Sequence, residues 1–197
     1  MKFQRLVYIL AIEPLLGGTK KSLTRLILKR GYRKILEVAC GTCRQAELLA
    51  REGLEVTAID ISDELFPEGK APDFEFFVAD GKSLPFSENS FDAGAISLAL
   101  HEMDEEDRLP VLKELSRVTK PGGRIFVLDY DCAVIEKRNL AARLIKFIEK
   151  LAGKRHHSNF RNFIRNGGVP ALAERCKKKI VMKIPVLGGG GAIFELE

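Results

Sequence analysis

Cysteine is scarce: four thiols in 197 residues, too few for a domain held together by disulfides. Long apolar runs are missing too. No stretch reaches the roughly 18 to 20 residues that a bilayer-spanning helix needs, so no transmembrane segment is expected. The apolar stretch from Leu6 to Leu16 is interrupted by Glu13 and followed by Lys20 and Lys21 instead of a small-residue cleavage pattern. A signal peptide is therefore not expected, and a reduced, cytoplasmic protein is. Glutamine is nearly absent, with two residues, a balance that suits a heat-adapted source. Internal repeats and low-complexity tracts are also lacking.

What is present is a core-forming composition. The chain is 46% hydrophobic and 30% charged, which fits one domain of ordinary size and excludes disordered and collagen-like chains. The net charge of +5 hides a division along the chain. Residues 1–36 sum to +8, residues 37–136 to −13, and residues 137–197 to +10.

Periodicity gives the order of elements. Leu6–Leu16 and Ser22–Arg30 read as two helices broken by Gly17-Gly18. Lys34–Ala39 is a short, partly β-branched run and reads as a buried strand. A helix over Arg44–Arg51 follows, with Ala46, Leu48, Leu49 and Ala50 inward. Strands are expected at Leu54–Ile59, Phe74–Ala79, Phe91–Leu98 and Arg124–Leu128. Helices are expected at Ser62–Phe66, Glu105–Val118 (Leu109, Leu112, Leu115 and Val118 on one face), Leu140–Leu151, Phe160–Ile164 and Pro170–Arg175. Pro121-Gly122-Gly123 reads as a turn. Lys179–Val186 and Ala192–Leu196 flank four glycines and read as a hairpin. This alternation predicts an α/β domain with a mostly parallel sheet, closed by an antiparallel strand.

In such sheets ligands bind beyond the carboxyl ends of the strands. Three positions meet there. Gly41, in the turn after the first strand, lets a ligand approach the backbone. Asp60 ends the second strand, and its carboxylate suits the two hydroxyl donors of a ribose. Asp80 ends the third and can accept from an exocyclic amine. The set is nucleoside-shaped. A dinucleotide fingerprint would put glycines where Ala39 and Arg44 stand, which opposes a nicotinamide-dependent oxidoreductase. Glu37 at the mouth of the turn opposes a pyrophosphate and favours a cationic group such as an ammonium or a sulfonium.

The segments around these residues resemble the class I S-adenosylmethionine (SAM)-dependent methyltransferases. Ile35-Leu36-Glu37-Val38-Ala39-Cys40-Gly41-Thr42 is similar to their first motif, and Asp60-Ile61-Ser62 to their ribose-binding acid. Val78-Ala79-Asp80-Gly81, with Leu84-Pro85-Phe86 and Ser90-Phe91-Asp92, is similar to their adenine side. Glu114 to Arg124 is similar to the helix and turn before their fifth strand. The likeness spans residues 30–130 and is greatest to the small-molecule subgroup that includes the ubiquinone/menaquinone biosynthesis C-methyltransferases.

The resemblance implies a single methyltransferase domain over 1–197, Rossmann-like and doubly wound, with a seven-stranded sheet. Its N-terminal helices (1–33) and the helices of 131–197 would cover the acceptor, and 34–130 would form the SAM-binding core. It implies SAM contacts from Glu37, Ala39, Cys40, Gly41, Asp60, Ile61, Asp80, Gly81, Ser97 and Leu98, with Ile61 and Leu84 flanking the base. His101, after the fourth strand, would border the acceptor and could take a proton from it. Ala39 stands where the family usually has glycine; it is expected in ordinary backbone angles.

Other readings compete. Cys40-Gly41-Thr42-Cys43 is also a C-x-x-C pair at a helix start, the setting of a redox dithiol. No metal is expected, because Cys132 and Cys176 stand alone and no Cys/His spacing matches a four-ligand site. His156 to Arg165 mixes aromatic and basic residues. It reads as a helix with Phe160, Phe163 and Ile164 buried and with Arg161 and Arg165 free to face an acidic acceptor. The basic ends also allow an RNA methyltransferase, and Ala39 a non-catalytic SAM-binding module. The expected partner is a small or lipid-like, anionic acceptor, with peripheral membrane contact and no stable nucleic-acid partner.

Overall fold

The apolar runs of the middle of the chain become the centre of one sheet. The computed structural model describes residues 13–67, 73–136, 140–151 and 153–197. Its strands are β1 (Lys34–Val38), β2 (Glu55–Asp60), β3 (Glu75–Val78), β4 (Phe91–Ser97), β5 (Thr119–Tyr130), β6 (Ile180–Val186) and β7 (Gly191–Leu196). They lie in the order β3-β2-β1-β4-β5-β7-β6. The first five are parallel, and β7 runs antiparallel to both β5 and β6. This is the expected seven-stranded, doubly wound sheet with its closing hairpin. Strand order reverses between β1 and β4, which opens a crevice at their carboxyl ends.

The helices are α1 (Glu13–Lys29), α2 (Arg44–Arg51), α3 (Glu105–Val118), α4 (Cys132–Ile135), α5 (Leu140–Leu151), α6 (Lys154–Arg165) and α7 (Gly168–Arg175). Strand alternation divides the core in two. Leu36, Val38, Ile96, Ile125 and Val127 pack with Leu112, Leu115 and Val118 of α3 and Leu172 of α7. Ile35, Ala93, Ala95, Phe126 and Leu128 pack with Leu23, Leu26 and Ile27 of α1 and Ala46 and Leu49 of α2. A third cluster, Tyr130, Ile135, Ala142, Ile145 and Phe160, closes the carboxyl end beyond β5. The inner strands are buried on both faces, so they read as near-continuous apolar runs. The edge strand β6 carries Lys183 and Pro185 among half-exposed residues, which discourages pairing with another chain.

Several expectations change. Gly17-Gly18 does not break a helix; α1 runs through it. Two helical glycines cost about 1 kcal/mol each, and burial of Leu16, Leu23, Leu26 and Ile27 along one face outweighs that. The part of the expected first helix before Glu13 lies outside the described residues. Residues 62–66 form turns, not a helix. Asp60 Oδ1 accepts the Ser62 N–H, and Ser62 Oγ accepts the Glu64 N–H, side-chain turns that compete with helical backbone. Pro121-Gly122-Gly123 lies within β5, where the register with β4 shifts between Phe91 and Ala93. In α2 the buried residues are Gln45, Ala46 and Leu49, while Leu48 and Ala50 are half-buried. Gln45 is inside because its Nε2 donates to Thr24 Oγ1 of α1. In α3, Arg108 is buried and Leu109 only half-buried.

Candidate functional site

The turn after β1 is unusual in its backbone. Ala39, Gly41 and Cys43 stand at φ 57°, 52° and 56°. Gly41 adopts this left-handed region freely; Ala39 and Cys43 are strained there by about 1–3 kcal/mol each. Ala39 thus departs from the ordinary angles expected of it. The turn is held from both sides. The Cys40 N–H donates to the Ile59 carbonyl at 3.0 Å, and the Gly41 N–H donates to Asp60 Oδ2 at 2.8 Å. Asp60 therefore uses one lone pair on each oxygen for backbone amides and keeps others for a ligand.

Around this turn the structure gathers Glu37, buried at 1% exposure, Asp60 at the end of β2, and Ser97 at the end of β4. Register places Val38 beside both Ile59 and Ile96, so the ends of β1, β2 and β4 lie side by side. Ser97 Oγ is buried with no hydrogen-bond partner. Leu98, next along, is also left-handed, at φ 54°. Asp80 follows β3; its Oδ1 accepts the Lys82 N–H at 2.9 Å, and about half of its side chain meets solvent. Ile61 is 69% exposed at the rim. Gly81 has a packing reason to be glycine: a Cβ there would come within 3.0 Å of Val38 Cγ1. Leu84 does not flank this crevice. It is buried in the core on the α3 side, with its N–H on Glu114.

Cys40 and Cys43 are both buried, with their sulfurs 3.0 Å apart. The hydrogen bond to Cys43 and burial push the Cys40 thiol far above its ordinary range. An attacking thiolate needs the opposite shift, which opposes that role for Cys40.

Beyond β4 and β5 lies a second, denser set. His101 is 2% exposed. Its Nδ1 is 2.7 Å from Asp129 Oδ1, and its backbone N–H donates to Asp129 Oδ2. The ring lies 4.6 Å from that of Tyr130, whose hydroxyl donates to Glu149 Oε1 at 2.7 Å. His156 Nε2 is 2.5 Å from Glu149 Oε2. Burial alone would lower the His101 pKa, but Asp129, Glu102 and Glu149 outweigh it and raise it to about 9. The neighbouring carboxylates thus favour the protonated ring. Burial pushes Glu149 up, yet the bond to His156 and the charge of His101 hold it below the usual carboxylate range.

Arg108 ties the loop between β4 and α3 to α6. Its guanidinium donates to the carbonyls of Leu100, Met103 and Asn159 and to Asn162 Oδ1. Asn159 Nδ2 donates to the Glu102 carbonyl. Phe160 and Phe163 of α6 are buried, as expected from their spacing. Sequence reasoning missed Asp129, Tyr130, Glu149, His156 and Arg108. Asp129 had a usable signal, as a strand-end acid like Asp60 and Asp80. The others are brought in by the packing of α5 and α6, which has no local signature.

Comparison with known proteins agrees with this architecture. A family described as "Methyltransferase domain" matches residues 36–127. The demethylmenaquinone methyltransferase of Corynebacterium glutamicum (strain R) is 42% identical over 116 residues, 59% of this chain and 49% of that protein. That of Thermotoga maritima is 39% identical over 114 residues, 56% of this chain and 49% of that protein. The chain thus spans about half the length of the curated relatives it matches. Among solved structures, a Pyrococcus horikoshii OT3 protein superposes with a TM-score of 0.66 at 20% identity, over 87% of this chain and 85% of that one. The magnesium protoporphyrin IX methyltransferase from Synechocystis PCC 6803, with bound SAH, gives 0.65 at 16% identity, over 94% and 84%. Residues 36–127 thus match the methyltransferase-domain family, on a strand order that is that of a doubly wound, Rossmann-like sheet.

Proposed function

We propose that this chain transfers the methyl group of SAM to a small or lipid-like acceptor. The observation that carries this is the crevice at the β1–β4 reversal, where a left-handed turn meets a buried acid, a strand-end acid and an unpartnered hydroxyl. The donor chemistry fits SAM. Glu37 places negative charge where an ammonium and a sulfonium would lie. Asp60 keeps acceptor capacity for a ribose diol, Asp80 offers the same to an adenine amine, and Ser97 Oγ is an orphan seeking a partner. Ala39, Cys40 and Gly41 would present backbone, Gly81 and Leu98 would shape the walls, and Ile61 would cover the base.

When bound, SAM supplies a methyl carbon activated by its sulfonium for a single displacement. The protein's part is to hold an acceptor in line with it and to exclude water. His101, fixed by Asp129, would border the acceptor and orient it. We assign the acceptor cover to residues 1–33 and the helices of 131–197. Among the described residues α1 also builds core through Leu23, Leu26 and Ile27. No helix among the described residues is long and apolar enough to cross a membrane. The free thiols support a cytoplasmic setting.

Calorimetry with SAM and with NAD is the first test. Binding of SAM but not NAD is expected, and no SAM binding at millimolar concentration would sink the reading. Demethylmenaquinone, named for the relatives, is the first acceptor to assay, followed by lipids and RNA.

A further inference from the structure

We propose that His101, Glu102 and His156 bind one divalent transition-metal ion, of the Zn2+ or Co2+ class, beyond the carboxyl ends of β4 and β5. Among the described residues these three bring ligand atoms within 4.8 Å of one another. Each imidazole turns one nitrogen to a buried carboxylate and the other toward Glu102, with hydrogen-bond geometry met at His101 and not at His156. His101 turns Nδ1 to the buried carboxylate of Asp129 at 2.7 Å, and its Nε2 lies 3.6 Å from Glu102 Oε1. His156 turns Nε2 to the buried carboxylate of Glu149 at 2.5 Å, and its Nδ1 lies 3.9 Å from Glu102 Oε2. Metal-bound histidines carry this kind of outer carboxylate, which fixes the ring and raises its basicity.

Ligand atoms about 2.1 Å from a tetrahedral ion stand roughly 3.4 Å apart. The widest separation, up to 4.8 Å, closes by roughly 1.4 Å around an ion, which displaces the proton that His101 otherwise holds. Two imidazoles and one carboxylate suit Zn2+ and its neighbours better than Mg2+ or Ca2+, which prefer all-oxygen shells. The set supplies three protein ligands and leaves a fourth position open, the pattern of a site that takes water or a substrate oxygen. Entry is available, because about half of the Glu102 side chain is exposed. The scaffold is also preset. Arg108 and Asn159 pin the loop bearing His101 and Glu102 to α6, which bears His156. Local spacing could not show the site, since its two histidines lie far apart along the chain.

The proposal does not depend on SAM. It is tested by titrating Co2+ into the chelator-treated full chain and following visible d–d absorption, with Zn2+ as competitor. One Co2+ per chain, displaced by Zn2+ and accompanied by a rise in Tm, is expected. His156→Ala, at a half-buried helix position, should abolish the band. Asp129→Asn and Glu149→Gln should weaken binding by roughly tenfold to 100-fold. Cys40→Ser with Cys43→Ser should leave the band in place. Absence of a stoichiometric band, its survival in folded His156→Ala, or its loss in the cysteine variant would each overturn the proposal. The cluster would then be an ion-pair network or the metal would sit on the thiols.

Discussion

Ala39 and Asp92 show how single residues answer to backbone and charge. Replacing alanine by glycine usually destabilises, but Ala39 stands at φ 57°. Relief of left-handed strain should exceed the added chain entropy, so Ala39→Gly is expected to stabilise by about 0.5–1 kcal/mol in urea unfolding. Ala46→Gly, in a helix interior, should destabilise by about 1 kcal/mol or more in the same assay. Asp92 is bonded by Lys120 Nζ and the N–H groups of Lys34 and Arg33, which lower its pKa to about 2. The folded value lies below the ordinary 3.8. Its contribution is therefore complete above pH 4 or so and is lost as pH falls toward 2. Asp92→Asn should cost about 1–2 kcal/mol at neutral pH, allowing for solvent screening, and should flatten the acid limb of the stability curve. Asp60→Ala should weaken SAM binding at least tenfold, about 1.4 kcal/mol, by calorimetry.

At the scale of elements, two contacts decide where helices sit. Gly94 lets α3 lie close on β4: a Cβ there would meet Leu115 Cδ1 at 2.5 Å. Gly94→Ala should therefore lower stability by about 1–3 kcal/mol through overpacking. Arg108 is the buried peg between the β4–α3 loop and α6. Its loss strands carbonyls of Leu100 and Asn159 away from water. Arg108→Met is expected to cost about 3 kcal/mol and to raise amide exchange in 98–104 and 154–165 while sparing β1 and β4.

Across the whole molecule, the division of charge acquires a place. In the proposed function, the segment of net −13 would serve the cationic cofactor and the net +8 and +10 segments the acceptor. Much of the basic surface is paired: Arg30 with Glu195, Arg155 with Asp104, Lys183 with Asp131. Lys21, Arg25 and Lys29 of α1 and Lys154, Arg161 and Arg165 of α6 are those that would meet an anionic acceptor or surface. Activity on the true acceptor should then fall several-fold as salt rises from low to high ionic strength. Neutralising those residues should reproduce the loss; insensitivity to both would reduce the division to solvated surface.

The strand and helix order, the hairpin at the tetraglycine and the strand-end acids were readable in the chain itself. Each is a local matter of period, turn chemistry or position after an apolar run. The same holds for Glu37, whose charge at the first turn already spoke for a cationic ligand. The tertiary structure alone decided what depends on partners far along the chain. It carried α1 through two glycines because the sheet rewards the buried face. It put Ala39 and Cys43 in a left-handed turn because the Ile59 carbonyl and Asp60 hold its amides. And it assembled Asp129, His101, Glu102, Glu149 and His156 from one strand, one loop and two helices, which no local spacing could announce.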